Sequence, residues 1–153
     1  MYGIASLQMH RIGVISDTHN RLDSKVLDIF CGVDLILHAG DVCKTEILEK
    51  LGTVAPVVAV LGNNDSLPSL RIKERRELNG VRFEIIHIFP PRIPDDTDWL
   101  IFGHTHVPCD ETVKGVRLFN PGSAGLANKG APRSVALLTW DGNKWESEFT
   151  LLD

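Results

Sequence analysis

Three short runs rich in β-branched and aliphatic residues, Arg11 to Ser16, Asp34 to Gly40 and Val57 to Gly62, are separated by two segments with apolar residues at helical spacing. Those segments are Asp23 to Phe30 and Lys44 to Gly52, with Gly52 as a helix stop. The alternation strand, helix, strand, helix, strand leaves few folds open, because parallel strands need long crossovers and the crossovers are right-handed. Each run also ends in polar residues that a strand end does not require: Ser16-Asp17-Thr18-His19, His38-Ala39-Gly40-Asp41 and Gly62-Asn63-Asn64-Asp65. Ligands of open parallel sheets bind beyond the carboxyl ends of the strands, so the three tips are expected close together.

The second half changes character. Val81 to His87, Asp98 to His104, Gly115 to Asn120, Ser134 to Trp140 and Lys144 to Leu151 read as strands, and Asp141-Gly142-Asn143 is a hairpin signal joining the last two. The expectation is an α/β chain with two packed sheets and helices outside. Pro90, Pro91 and Pro94 exclude a regular helix between Ile88 and Asp98. The basic run from Arg71, interleaved with glutamates, reads as a solvated edge strand or loop. With 153 residues and no repeat or linker, one domain over 1–153 is expected.

Several function classes recede on composition. A formal charge of -4 argues against a broad nucleic-acid-binding surface. No apolar stretch approaches the roughly 20 residues that span a bilayer. The start lacks a basic region, apolar core and cleavage site, so no membrane association and a cytoplasmic location are the default expectations. Cys31, Cys43 and Cys109 form no Cys-x-x-Cys pair and are expected to be buried filler, neither disulfides nor a thiolate zinc site.

Five strand ends deliver Asp17, His19, Asp41, Asn63, His87, His104 and His106, each of a type that coordinates metal. Singly, each reads more simply as a satisfied turn or strand-end residue. Two spacings, Asp17 with His19 and His104 with His106, suggest side chains projecting together from extended segments. Gly103 is expected to turn the backbone at the end of its strand. His10 and His38 fall outside the pattern, and His38 reads as structural or supporting. Imidazole and carboxylate together favour Mn, Fe, Zn, Co or Ni over Mg or Ca. Seven candidates exceed the needs of one tetrahedral ion, whereas two ions roughly 3.5 to 4 Å apart, bridged by Asp41, would use them all.

In order along the chain, Asp17-Thr18-His19, Gly40-Asp41, Gly62 to Asp65, His87, Gly103 to His106 and Asn120 to Ser123 resemble the signature of calcineurin-like metallophosphoesterases, in particular their small bacterial and archaeal phosphodiesterase branch. The resemblance covers nearly the whole chain. It implies a four-layer α/β/β/α sandwich of two mainly mixed β-sheets flanked by helices, with a di-metal centre at one rim. It assigns Asp17, His19 and His106 to the first ion, Asn63, His87 and His104 to the second, and Asp41 to both. The implied catalytic set is Asp41, Asn63, Asn64 and His104. Two departures stand out. Relatives usually carry a proton-donating histidine where this chain has Asn64, and they follow the equivalent of His87 with glycine and a helix, where this chain has an irregular proline-rich segment.

The implied activity is hydrolysis of phosphate diesters by a water shared between two divalent ions, with manganese favoured and nickel, iron, cobalt or zinc as alternatives. The expected substrate is a small phosphate ester, with a nucleotide among the candidates. Pro121 stands where a nucleophile elbow needs glycine, so Ser123 is not expected to attack. A rival reading is a weakly active or inactive metal-binding scaffold, since the same fold occurs in a trafficking subunit of eukaryotic retromer. A homodimer formed through an apolar patch on the rebuilt loop also stays open.

Overall fold

In the computed structural model, which describes residues 8–127 and 130–153, the amino-terminal alternation folds as β1 (Arg11–Ile15), α1 (Ser24–Ile29), β2 (Leu35–His38), α2 (Thr45–Gly52) and β3 (Val57–Ala59). The reading of the leader, residues 1–7, lies outside the described residues. The three strands are parallel neighbours, as their helical crossovers require. α1 starts at Asp23, whose side chain accepts from the Lys25 amide at 3.0 Å. α2 buries Ile47 and Leu51, four residues apart on one face.

The chain then builds β4 (Lys73–Leu78), β5 (Val81–Ile86), β6 (Trp99–Ile101), β7 (Cys109–Val113) and β8 (Val116–Asn120). It returns to the first sheet as the hairpin β9 (Ser134–Trp140) and β10 (Trp145–Leu151). The hairpin signal is realised by Asp141, whose Oδ1 accepts from the amides of Asn143 and Lys144. The strand orders are β10-β9-β1-β2-β3 and β4-β5-β6-β8-β7, and both sheets mix parallel and antiparallel pairs. This is an α/β sandwich of two mixed sheets, as the resemblance implies.

Alternation along the strands divides the core. Ile12, Val14, Leu35 and Leu37 face the second sheet and pack with Phe83, Ile85, Trp99, Ile101 and Phe119. Ile15 and Ile36 face outward and pack with Val26, Phe30, Ile47 and Leu51 on the helical side. Both α1 and α2 therefore cover the first sheet. On the outer face of the second, Leu100, Phe102 and Leu118 are met by Ile86 and Ile93, and Phe89 stands edge-on to Phe102 with centroids 5.1 Å apart. The fourth layer is thus irregular chain rather than a helix, as the proline-rich segment after His87 implies.

Of the two readings of the charged run after Arg71, the edge strand holds: it is β4, with Arg75 bonded to Glu84 at 2.7 Å across the pair. β7 carries no apolar alternation and was not read as a strand; its residues are largely exposed and it is held by pairing with β8. None of the cysteines is buried filler: Cys31 is exposed, and Cys43 and Cys109 are half-buried. Among the described residues no helix is long and apolar enough to cross a membrane.

Candidate metal centre

The loops after β1, β2, β3, β5 and β6 meet at one rim of the sandwich and are laced together by backbone. The Asp17 amide donates to the Gly40 carbonyl, His19 to Asp41, and Gly103 to His87, each at 2.9 Å. The backbone at the rim is not extended. Asp17, His19, Asp41, His104 and His106 all have φ between 51° and 72°, the left-handed region that non-glycine residues adopt at a cost of roughly 1 to 2 kcal/mol each. The expectation that Asp17 with His19 and His104 with His106 project together from extended segments is therefore wrong in its reason. Left-handed residues at alternate positions turn the loop back on itself, and that brings the side chains to one point. Clustered strain of this kind is characteristic of functional sites.

Gly103 also plays a different part from the turn expected of it. Its φ is not positive; a Cβ there would lie 2.1 Å from Ser16 Oγ and 2.8 Å from Asp17 Oδ2. It is glycine because the loop after β6 presses against the loop after β1. Gly62 is the counterpart on the other side, where a Cβ would lie 2.1 Å from Asp41 Oδ1. Together they let the two carboxylates come within 4.0 Å of the His19 and His87 imidazoles.

Asp17 and Asp41 are both buried, and among the described residues the only basic side chains within 4.0 Å of their carboxylates are histidines. Asp17 Oδ2 accepts from Ser16 Oγ at 2.6 Å and the His104 amide at 3.1 Å, while Oδ1 is buried without a hydrogen-bond partner. Around that oxygen stand His106 Nε2 at 3.2 Å, His87 Nε2 at 3.8 Å and His19 Nε2 at 4.0 Å. Asp41 Oδ2 lies 3.3 Å from His87 Nε2 and 4.0 Å from His19 Nε2. The Nε2 atoms of His19 and His87 are likewise buried without partners. His87 Nδ1 donates to the Ala39 carbonyl at 2.8 Å, which leaves its Nε2 lone pair facing the carboxylates.

Buried anionic oxygens and imidazole lone pairs converging without donors form an arrangement that is unfavourable by itself and fits divalent cations. The groups close enough to share an ion are Asp17, His19 and His106 on one side and Asp17, Asp41 and His87 on the other. Five of the seven expected ligands thus meet directly. Asp17, not Asp41, is the residue common to both groups, while Asp41 Oδ2 lies 3.3 Å from His87 Nε2 and 4.0 Å from His19 Nε2. The other two candidates border the cluster: the exposed His104 ring is edge-on to His87 with centroids 5.3 Å apart, and the exposed Asn63 shares a cavity wall with His87.

A supporting layer fixes these groups. The Asn64 amide and side chain donate to the two oxygens of Asp41, each at 2.9 Å. Burial pushes the Asp41 carboxyl up, but these two bonds and the neighbouring histidines outweigh it and hold the group below the usual carboxylate range. Asp65 accepts from the amides of Val42, Cys43 and Gly62, so it shapes the turn as an acceptor. His38 is buried, takes the Gly40 amide on Nδ1 at 3.1 Å, and meets Thr18 Oγ1 with Nε2 at 3.1 Å. Burial pushes its pKa down to about 3. It is neutral, with its proton on Nε2, and ties β2 to the Asp17 loop.

Asn120 and Ser123 do more than the sequence reading asked of them. Asn120 Nδ2 donates to the Gly103 carbonyl and Thr105 Oγ1, both at 3.1 Å, and the buried Ser123 hydroxyl donates to the Asp17 carbonyl at 3.2 Å. They clamp the loops after β1 and β6, and the hydroxyl is not free to attack. The signal was present in Asn-Pro-Gly-Ser, a turn sequence whose polar side chains bond backbone.

Comparisons with known proteins show the family and the fold. Residues 10–143 match the sequence model of the calcineurin-like phosphoesterase superfamily domain. A probable metallophosphoesterase of Methanocaldococcus jannaschii is 43% identical over 129 residues, which are 73% of this chain and 67% of that protein. A probable metallophosphoesterase of Methanothermobacter thermautotrophicus is 37% identical over 155 residues, 90% of each chain. The solved structure of an archaeal phosphodiesterase has a TM-score of 0.78 at 23% identity and covers 92% of this chain and 99% of that one. At that identity the likeness is one of fold.

Proposed function

Because the chain belongs to the calcineurin-like phosphoesterase superfamily and is a metal-dependent phosphoesterase, we propose that it hydrolyses small phosphate diesters at a centre of two divalent ions. Asp17, His19 and His106 would hold one ion and Asn63, His87 and His104 the other, with Asp41 contacting both. Manganese is the first candidate, since the donor set mixes imidazole with carboxylate. The observation that carries the reading is the convergence of His19 Nε2 and His87 Nε2 on Asp17 Oδ1, at 4.0 and 3.8 Å, with all three atoms buried and without hydrogen-bond partners.

When bound, divalent ions supply Lewis-acid activation of water and neutralise phosphate charge. The chain's own contribution is placement. The Ala39 carbonyl sets the His87 tautomer, Asn64 fixes the Asp41 carboxylate, and Gly40, Gly62 and Gly103 let the loops approach. Asn64 carries no titratable proton and its amide nitrogen is engaged with Asp41, so a departing alkoxide takes its proton from water. Diesters with acidic leaving groups are the substrates such a site handles best. The test is to assay metal-stripped protein against an aryl phosphodiester and its monoester, with and without manganese. Diester cleavage restored by the metal and lost in Asp41→Ala supports the proposal. Cleavage by the stripped protein, or full activity in Asp41→Ala, contradicts it.

A further inference from the structure

We infer that the cleft beside the metal centre is a subsite for one organic substituent of the phosphate ester, taking an uncharged group about the size of a single aromatic ring; this rests on the phosphoesterase reading of the centre. The cleft has a volume of about 210 Å³. Its walls are the aliphatic side chains of Leu61, Ile72, Ile86 and Ile88, and its polar end is formed by Asn63 and His87. No charged residue lines it. His87 belongs to both places, since its Nε2 lies 3.3 Å from Asp41 Oδ2. The apolar cavity and the centre therefore adjoin at His87.

The local sequence explains why the cleft exists. Ile86 and Ile88 flank the buried His87 at the end of β5, and the irregular proline-bearing chain that follows supplies no helix to cover them. Ile72 is 67% exposed and Ile88 48% exposed, large aliphatic surfaces left in water at the same opening. An apolar cavity with a few polar groups at one end is the usual form of a small-molecule site. Size narrows the occupant: about 150 Å³ suffices for benzene, whereas drug-sized ligands fill roughly 300 Å³ or more. One ring fits, and a whole nucleotide does not.

The test uses metal-loaded full-length protein and two probes, phenylphosphonate and methylphosphonate, with affinities measured by calorimetry. Burying most of one ring predicts roughly tenfold tighter binding of the phenyl compound. Ile72→Ser and Ile88→Ser, both at exposed positions, should bring the two affinities together while methylphosphonate binding and metal content stay as in the parent. Absence of a phenyl preference in the parent, including failure of phenylphosphonate to bind, or its survival in both variants, overturns the inference. Turnover of an aryl diester by the same preparation is scored separately. A phenyl preference without turnover leaves the subsite standing and removes the catalytic reading, and turnover without the preference does the reverse.

Discussion

At Gly103 one methyl group decides whether two loops can meet. A Cβ would lie 2.1 Å from Ser16 Oγ and 2.8 Å from Asp17 Oδ2, both in buried and tightly bonded side chains. Gly103→Ala is expected to destabilise the fold by about 1 to 3 kcal/mol in denaturant titrations and to weaken metal binding by displacing Asp17. Asn64 acts on the other carboxylate. Asn64→Ala removes one of its two bonds to Asp41 and should lower metal affinity roughly tenfold, read by metal titration. Rates on a series of aryl and alkyl diesters should fall steeply as the leaving-group pKa rises, and Asn64→His should flatten that slope by supplying a proton donor. A flat slope in the parent would count against an unassisted leaving group. The identity of these residues was legible in the sequence because carboxylates and imidazoles at strand ends have few simpler uses in such number. Their left-handed backbone was not, since nothing in Asp-Thr-His or His-Thr-His marks a positive φ as glycine would.

Among the elements, β2 carries the group most sensitive to pH. His38 closes the strand as a neutral, fully buried ring between the Gly40 amide and Thr18, with its pKa pushed down to about 3 from an ordinary value of 6.5. The unfolded chain binds a proton there that the folded one refuses. Its contribution to stability is therefore full above about pH 6.5 and declines by about 1.4 kcal/mol for each pH unit below, down to the folded pKa. In metal-free protein the imidazole resonances of His38 should keep the Nε2-protonated pattern down to pH 4; titration near pH 6 would contradict the packing. Strands with apolar alternation or β-branched runs, such as β1, β5 and β9, could be read from the sequence. β7 could not, because Asp110, Glu111 and Thr112 offer no buried face and the strand exists through its pairing with β8. β4 was half legible: charge on every exposed position suits an edge, but only the register with β5 separates strand from loop.

For the whole molecule, the sandwich works as a frame whose two sheets hand residues to one rim. The first contributes Asp17, His19, Asp41 and Asn63, the second His87, His104 and His106, so bringing the candidates together requires the sheets to be packed. Mutations in the inter-sheet core should therefore reach the metals: Phe83→Ala, in a fully buried position, should cost about 3 to 5 kcal/mol and reduce metal occupancy with it. The same dependence bears on the scaffold alternative, because the chain has a candidate ligand at every position the family pattern names and a purely structural subunit has no need of them all. The proposed pair of ions held by these side chains makes hydrolysis depend on both. That dependence is tested most directly by adding manganese stepwise to metal-stripped protein while following hydrolysis of bis(4-nitrophenyl) phosphate. Activity absent at the start and saturating at two equivalents per chain is the predicted result; activity without metal, or none with two ions bound, would contradict it.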